Sequence, residues 1–351
     1  MGLRDDFEGK VIAPFIDAYA RGVTPNPCIL CNRYIKFPSL LKIADERGGA
    51  SIATGHYARV KDSNELQVTS NSNDSNKSSV TSNELKTKDS KNSSLVTRYS
   101  SLPSDSSLVT DKVTCHSLLL KGVDPGKDQS YVLYALGRKE LDRLALPLGN
   151  FRKEEVRKIA RGLGLSSGDR PESQEICFIG ERKYFSFMEG LSDAPEGPII
   201  DIESGKALGN HKGIHRYTMG QRKGLGIATG VPLYVAKIDP LENTVYVGPK
   251  EAALGKEFLV EDVNWLIGCD ELSVMRNEIK EKGSSTHHEF RASVKVRSTM
   301  RDEPATVIVL DDGRARVMYD EPQWAPAPGQ GAVFYQGDVV MGGGVISGEN
   351  V

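Results

Sequence analysis

Apolar residues recur at helical spacing in two segments near the start of the chain. Val11, Phe15 and Tyr19 mark one face of a helix, which is predicted to begin near Pro14 and to end at Gly22, because proline is tolerated in a first helical turn. A second apolar pattern, Leu40–Ala44, predicts a helix that ends before two glycines. Both segments are therefore expected to be amphipathic helices.

A short apolar run follows the second helix. Ala50–Thr54 reads as a buried strand that ends at Gly55 and His56, and open α/β sheets bind ligands at the carboxyl ends of their strands. Helix, strand and glycine in this order indicate part of a doubly wound sheet. Further strands are predicted at Tyr57–Lys61 and Cys115–Lys121.

The stretch from residue 62 to residue 112 is rich in Ser, Asn, Thr, Lys and Asp. Such a composition cannot bury enough apolar surface to offset the entropy of ordering, so this stretch is predicted to be a disordered insertion. Order is expected to resume at a polar turn, Asp124–Ser130, followed by helices over Tyr131–Ala135 and Lys153–Gly162.

The pattern changes towards β-structure after residue 180. Beyond residue 255, alternating apolar runs are separated by the turn residues Asp311–Gly313 and Pro328–Gly331, which predicts a small antiparallel barrel. The chain is therefore expected to be α/β followed by β. The strands predicted before the barrel are Pro198–Asp201, Leu233–Ile238 and Asn243–Val247.

Composition changes this picture little. A chain of 351 residues with 38% hydrophobic residues and a formal net charge of −2 is typical of a soluble protein with two or three domains. No apolar run is long enough to span a bilayer and the first residues lack an apolar signal region, so a cytoplasmic protein without a membrane partner is expected. Five irregularly spaced cysteines suit a reducing compartment, where thiols are catalytic or incidental.

The cysteines carry the candidate chemistry. Cys28 and Cys31 follow two prolines, which predicts a rigid loop that exposes both thiols, with the nearby Arg33 lowering their pKa. The alternative is a structural zinc site, which needs two more ligands, and the pair at residues 287 and 288 is the only histidine candidate. Cys177, between Ile176 and Phe178, taken alone favours a buried core cysteine.

Six motifs occur in a fixed order along the chain and resemble those of tRNA-specific 2-thiouridylases of the MnmA type. The likeness extends over everything except the polar insertion. The motifs are Thr24–Asn32, Ala53–Tyr57, Lys127–Tyr131, Ile176–Gly180, Gly220–Gly226 and Pro328–Tyr335. The resemblance implies an incomplete Rossmann-like adenine-nucleotide α-hydrolase (PP-loop) domain over residues 1–180, a small central tRNA-binding domain over 181–254 and a C-terminal antiparallel β-barrel over 255–351.

The resemblance also implies an activity, the ATP-dependent 2-thiolation of the wobble uridine (U34) of tRNA. Cys177 would carry the persulfide sulfur and Cys31 would be the nucleophile, with a transient Cys31–Cys177 disulfide. Sulfur transfer of this kind needs one thiol to carry the sulfur and a second to attack the S–S bond. Implied partners are tRNAs of the Lys, Glu and Gln type and a sulfur donor such as a cysteine desulfurase or a sulfur-relay protein. ATP with Mg²⁺ is the implied cofactor, and no tightly bound metal is expected.

Further site residues are assigned by their matching motifs. Gly55 would lie against ATP, and the tRNA contacts would be Asn26, Pro27, Cys28, His56, Lys127, Asp128, Gln129, Arg297, Ser298 and Gln330. The residues themselves leave other roles open: an ordinary strand-end histidine, a helix-capping turn at Lys127–Gln129 and, for the basic pair Arg222 and Lys223, either a phosphate site or a solvated turn.

Three departures from the family pattern affect these expectations. Many members carry Asp at the position of Cys28, where a thiol can do acid–base work or pair wrongly with Cys31. Ser298 stands where the family usually shows Tyr, so a stacking contact would be lost. No Ser-Gly-Gly-x-Asp-Ser loop for ATP phosphates occurs, which predicts an N-terminally truncated chain. A catalytically inactive tRNA-binding remnant is then the alternative function, and an organellar location is also left open.

Overall fold

The structure, a computed structural model, describes residues 2–62, 117–166, 176–179, 195–267 and 288–349. Most of the predicted insertion, residues 63–112, lies outside these ranges. One compact unit comprises Met1–Lys61 and Ser117–Val351, and a second comprises Asp62–His116, of which only Asp62 is described. The contacts reported below lie within the first unit. No helix of the described ranges is long and apolar enough to cross a membrane.

The N-terminal helices share one irregularity. Helices α1 (Arg4–Phe7) and α2 (Ala13–Ala20) flank a π-helical segment, and a second π-helical segment joins α3 (Pro27–Cys31) to α4 (Phe37–Glu46). A proline occupies the second position of both α2 and α4, where it supplies no N–H to the helical ladder. The N–H before each proline bonds five residues back, which widens the helix locally.

The predicted helix near Pro14 is confirmed in α2, and α4 confirms the second predicted helix. The loop predicted around Cys28 is wrong, because Pro27–Cys31 is helical. Proline restricts the residue before it, and Asn26 is indeed extended (φ −109°, ψ 96°). Pro27 itself takes the first helical position, where a fixed φ favours the helix.

The α/β part contains a short parallel pair. Strand β1 (Ile52–Ala53) pairs in parallel with β4 (Leu144–Ala145), which confirms a strand before Gly55. The predicted strands on either side of the insertion are β2 (Ala58–Asp62) and β3 (Ser117–Lys121), which are neighbours in a larger sheet.

Two further helices complete this part. Helix α5 spans Arg138–Leu141, and α6 (Lys153–Gly162) lies where the sequence predicted it. The helix predicted over Tyr131–Ala135 is instead a 3₁₀ turn, Ser130–Val132, followed by turns. A distant residue satisfies part of the backbone here, because the side chain of Asn264 donates to the carbonyls of Tyr134 and Leu136.

The central part is a four-stranded sheet whose predicted strands are confirmed. Its strand order is β6-β5-β8-β7, with β5 and β8 parallel and the other pairs antiparallel. Ile199, Val235, Val245 and Val247 are fully buried and form its core. The strands are β5 (Gly197–Asp201), β6 (Ala207–His211), β7 (Tyr234–Asp239) and β8 (Thr244–Gly248).

The C-terminal part is a closed antiparallel barrel, as predicted. Its six strands run in the order β13-β10-β11-β12-β9-β14, and pairing between β13 and β14 closes the ring. Tyr335 and Val333 of β13 share one core with Tyr131 and Leu133. The strands are β9 (Leu254–Trp265), β10 (His288–Lys295), β11 (Glu303–Val309), β12 (Ala315–Trp324), β13 (Gly331–Gln336) and β14 (Val339–Ile346).

Candidate active site

Helix α3 presents two thiols. The side chain of Asn26 caps the helix by accepting a 3.2 Å hydrogen bond from the N–H of Cys28. Cys28 and Cys31 are three residues apart and therefore lie on the same face of α3. Both are free thiols; Cys28 is exposed and Cys31 is half-buried.

The segment before α3 is held by a turn of the barrel. The N–H of Thr24 donates to the carbonyl of Pro328 at 2.9 Å, and the Gln330 side chain donates to the carbonyl of Thr24 at 2.9 Å. Between them, Gly329 has a left-handed φ of 84° and packs so closely that a Cβ there would overlap Val23. Both backbone groups of Thr24 are thus fixed by the C-terminal part of the chain.

The third thiol, Cys177, lies in a short turn that packs on α2. Phe178 meets the ring of Phe15 edge-on at 5.3 Å, and Ile179 is buried against Phe15 and Tyr19. Cys177 itself is exposed and free. The prediction from its apolar neighbours alone, a buried core cysteine, is therefore wrong, because those neighbours carry the packing while the thiol points outward.

The three thiols act on one another electrostatically, and we call Cys28, Cys31 and Cys177 the thiol cluster. The surrounding protein partly desolvates the exposed Cys28 thiol and raises its pKa, negative charge on Cys177 and Cys31 raises the pKa further, and Lys36 lowers it. Burial likewise raises the pKa of Cys31, against the lowering effect of Lys36, and the charge on Cys177 adds to the rise. Cys177 therefore lies within electrostatic range of Cys28 and Cys31.

The predicted lowering of the cysteine pKa values by Arg33 is wrong. Arg33 lies over the Tyr34 ring, 5.3 Å from its centroid, and the cation that acts on the thiols is Lys36. Burial outweighs Lys36 for both Cys28 and Cys31, so both pKa values rise. The sequence analysis missed Lys36. Its position could have been noticed only as a cation between two apolar residues, Ile35 and Phe37, shortly after the cysteines, and the structure shows both neighbours buried.

Lys36 connects the thiol cluster to His56. Its ammonium group donates to Nε2 of His56 at 3.5 Å, so the ring proton lies on Nδ1 and is donated to the Thr54 hydroxyl at 2.9 Å. The ring also packs beside Phe37, with centroids 5.6 Å apart. Burial, and secondly the charge of Lys36, lowers the pKa of His56 to about 4. His56 is therefore neutral at physiological pH.

This lowered pKa predicts a pH-dependent stability. The unfolded chain protonates His56 near its usual pKa of 6.5, above that of the folded state, so folding is favoured fully above pH 6.5 and loses stability as the pH falls towards 4. The loss from this one group is expected to be about 2–3 kcal/mol in the free energy of unfolding. Denaturant unfolding at pH 7.5 and 4.5 checks it, with His56→Asn as the comparison because asparagine keeps a donor for Thr54. The variant is expected to lose less stability, and equal losses would contradict the assignment.

Three family models match successive parts of the chain. Residues 1–92 and 106–181 match the family described as tRNA methyl transferase HUP domain. Residues 186–249 match the tRNA methyl transferase PRC-barrel domain, and residues 255–346 match the aminomethyltransferase β-barrel domain.

Similar proteins share one name, tRNA-specific 2-thiouridylase MnmA. The Acetivibrio thermocellus protein is 38% identical over 99% of this chain and 79% of its own length. Those of Caldanaerobacter subterraneus subsp. tengcongensis (MnmA 2) and Solibacter usitatus are 39% and 36% identical, again over 99% of this chain and over 78% and 79% of their own lengths. The chain belongs to the MnmA family. The resemblance predicted from six motifs is confirmed, as is the fold class, and nothing in these comparisons favours a non-catalytic remnant.

Several residues to which the MnmA resemblance assigns tRNA contacts also have internal partners. Asp128 accepts hydrogen bonds from the N–H groups of Gly122 and Ser130, and Lys295 lies 3.8 Å away. Gln129 exchanges two hydrogen bonds with the backbone of Tyr57, directly beside His56. Asp128 thus orders the turn predicted as a cap, and Gln129 joins that turn to the strand end of the site.

Arg297 lies at a junction between the two β-parts of this MnmA chain. Its guanidinium donates to the carbonyls of Met219 and Ala325, at 2.9 and 3.1 Å, and burial lowers its pKa. Ser298 follows in an exposed turn. The hydrogen bonds of Arg297 are thus made to the central sheet domain and the barrel, whereas Gln330 bonds to Thr24, just before α3.

A basic cleft lies in the central sheet domain of the MnmA fold. It has a volume of about 610 Å³, and its charged lining side chains among the described residues are Lys212, Arg216 and Lys223. Gly224 and Gly226 adopt left-handed φ values of 77° and 74°, which shape its rim. The neighbouring Arg222 is exposed. Three cationic side chains therefore line one cleft.

Gly55, the residue to which the MnmA resemblance assigns an ATP contact, lies at an open strand end. Gly55 is exposed at the carboxyl end of the parallel pair β1–β4, and a Cβ there would meet only Leu148 within 4 Å. This open backbone suits a flat ligand. In the described ranges, no group of three His, Cys, Asp or Glu side chains is placed to bind a metal ion. His288, from the zinc alternative, is an exposed residue that begins β10.

Proposed function

We propose that the chain is a tRNA-uridine 2-sulfurtransferase. It transfers a persulfide sulfur, in an ATP-dependent reaction, to C2 of the wobble uridine of tRNA. The observation that carries the proposal is the thiol cluster beside Lys36, in a chain whose relatives are named tRNA-specific 2-thiouridylases. Domain boundaries at residues 180 and 254 belong to the same proposal.

Cys177 is the thiol that carries the sulfur. Its exposure on a turn anchored through Phe178 and Ile179 leaves Sγ accessible to a donor protein. Cys31 is half-buried, which suits attack on a neighbouring S–S bond better than exchange with a large partner. The donor is of the cysteine desulfurase or sulfur-relay class.

The proposed transfer balances in two steps. The terminal sulfur of the Cys177 persulfide attacks C2 of the activated uridine, and the activated oxygen leaves. The Cys31 thiolate then attacks Sγ of Cys177, which breaks the bond to the transferred sulfur and leaves that sulfur on C2 as a thiocarbonyl. A Cys31–Cys177 disulfide remains, and an external dithiol reduces it with two electrons and two protons.

Lys36 assists the attacking thiol. Because burial raises the pKa of Cys31, little thiolate is present at neutral pH, and Lys36 is the group that favours the thiolate. The neutral His56 accepts from Lys36 and fixes the position of its ammonium group. Cys28, Asn26 and Pro27 lie at the same helix end, where the target base would approach.

ATP, with Mg²⁺, would supply the activation of the uridine oxygen as a leaving group. Among the described residues Gly55 would lie against the nucleotide. The tRNA would be held by the proposed contacts, including His56, Lys127 and Gln330, and by the basic cleft around Lys212 and Lys223, which suits its phosphates. Wobble uridines of tRNAs of the Lys, Glu and Gln type are the proposed targets.

The decisive experiment measures sulfur on each cysteine. The reduced full chain is incubated with a cysteine desulfurase and cysteine, alkylated, digested and examined by mass spectrometry. The peptide that contains Cys177 is expected to carry one added sulfur atom. Added sulfur on Cys28 or Cys31 with an unmodified Cys177 would contradict the proposal.

A further inference from the structure

The two-step reaction leaves one member of the thiol cluster without a part in the sulfur chemistry. Cys28 is a free, exposed thiol on the same helix as Cys31. Its charge interacts with those of both Cys177 and Cys31. A disulfide between Cys31 and Cys177 therefore forms next to the Cys28 thiol.

The geometry of α3 favours a bond between Cys28 and Cys31. Side chains three residues apart on a helix are neighbours, with Cβ atoms about 5–6 Å apart, and a disulfide needs about 3.5–4.5 Å. The first turn of α3 is held by the Asn26 cap and by the bond from the N–H of Ile29 to the carbonyl of Asn26, at 3.2 Å. A small tightening of this single turn closes the gap, as the C-x-x-C spacing allows in redox motifs.

The positions of the three cysteines make a thiol–disulfide exchange possible. Cys177 lies on a turn attached to α2, whereas Cys28 and Cys31 move together on α3. The segment that enters α3 is fixed by the barrel at Thr24. Because both cysteines belong to α3, Cys28 stays beside Cys31 throughout the reaction, also while Cys31 is bonded to Cys177.

We propose that Cys28 is the resolving thiol of the cycle, an inference that rests on the proposed function. After sulfur transfer, the Cys28 thiolate attacks Sγ of Cys31 in the Cys31–Cys177 disulfide. A Cys28–Cys31 disulfide forms and Cys177 leaves as a thiolate.

The exchange involves no net oxidation. One S–S bond breaks and one forms, the proton of Cys28 goes to solvent, and Cys177 takes one up. An external dithiol later reduces the Cys28–Cys31 disulfide with two electrons and two protons. The consequence is that Cys177 accepts its next sulfur before α3 is reduced.

Disulfide mapping tests the exchange without relying on catalysis. The reduced full chain is treated with one equivalent of diamide, quenched with N-ethylmaleimide, digested and mapped by mass spectrometry. Wild type is expected to show mainly Cys28–Cys31 with alkylated Cys177, and Cys28→Ser mainly Cys31–Cys177. A wild-type map with mainly Cys31–Cys177 and alkylated Cys28 would overturn the resolving role.

A second measurement follows thiolation over several cycles at limiting dithiothreitol. The ratio of later-cycle to first-cycle rate is expected to fall on the order of tenfold in Cys28→Ser and equally in Cys28→Ala, because dithiothreitol must then reduce the Cys31–Cys177 disulfide before Cys177 can accept its next sulfur. Normalising to the first cycle removes any effect on tRNA binding. An unchanged ratio while wild type forms 2-thiouridine overturns this inference alone. If Cys28→Ser forms no Cys31–Cys177 disulfide and wild type forms no 2-thiouridine, the proposed function is overturned as well.

Discussion

Cys177→Ser is expected to abolish 2-thiouridine formation, and Cys31→Ser is expected to stop the reaction one step later. Serine cannot carry a persulfide, so the first variant never loads sulfur. The second loads Cys177 but lacks the thiol that breaks the S–S bond, and its yield is expected to fall by about a thousandfold or more. Thiolated nucleosides from digested tRNA, measured by liquid chromatography with mass spectrometry, give the yield.

Loading and transfer separate the two variants. Persulfide analysis is expected to find sulfur on Cys177 in Cys31→Ser and none in Cys177→Ser. Cys269→Ser, at a cysteine outside the described residues, is the matched control for removing a thiol. Wild-type yields from Cys177→Ser would contradict the proposed chemistry, since Cys177 would then not be needed to carry the sulfur.

Gly329→Ala is expected to destabilise the fold and to disturb the thiol cluster. The new Cβ would overlap Val23, would lie 3.1 Å from the carbonyl oxygen of Thr24 and would force alanine into a left-handed φ of 84°. Strain and overpacking together are expected to lower the free energy of unfolding by about 2–4 kcal/mol. Denaturant unfolding measures this loss, and 2-thiouridine yield at a temperature where the variant stays folded measures the displaced α3.

Gly313 provides a control for the backbone strain alone. It has the same φ of 84°, lies in the turn between β11 and β12, and a Cβ there would meet nothing within 4 Å. Gly313→Ala is therefore expected to cost only about 1 kcal/mol. Equal losses in the two variants would show that the contact between Gly329 and Val23 contributes nothing.

Periodicity predicted the regular elements well, because their signals are local. Helix α6 and the strands of the central sheet lie where apolar spacing placed them. The helix predicted over Tyr131–Ala135 is wrong because residues distant in sequence hold this segment. The Tyr131 hydroxyl donates to the carbonyl of Gly331, and the Asn264 side chain donates to the carbonyl of Tyr134. Neither Gly331 nor Asn264 is close to this segment in sequence, so a local apolar pattern does not reveal these bonds.

The candidate site was predictable in its cysteines but not in its electrostatics. Motif order supplied Cys31 and Cys177, whereas their surroundings depend on which side chains folding brings together. Arg33 is closer to Cys31 in sequence, yet the helical path turns Lys36 towards the thiols and Arg33 towards Tyr34. Likewise, Ile176 and Phe178 suggested burial of Cys177, since sequence alone does not show which way a turn directs its middle residue.

The hydrogen bond between Gln330 and Thr24 spans 306 positions of the chain. On the ribosome, the amino-terminal cysteines emerge long before the carboxyl-terminal turn that secures them. A nascent chain therefore lacks this support for α3 until translation has passed residue 330, so its amino-terminal thiols reach their final position only after the barrel turn has been made.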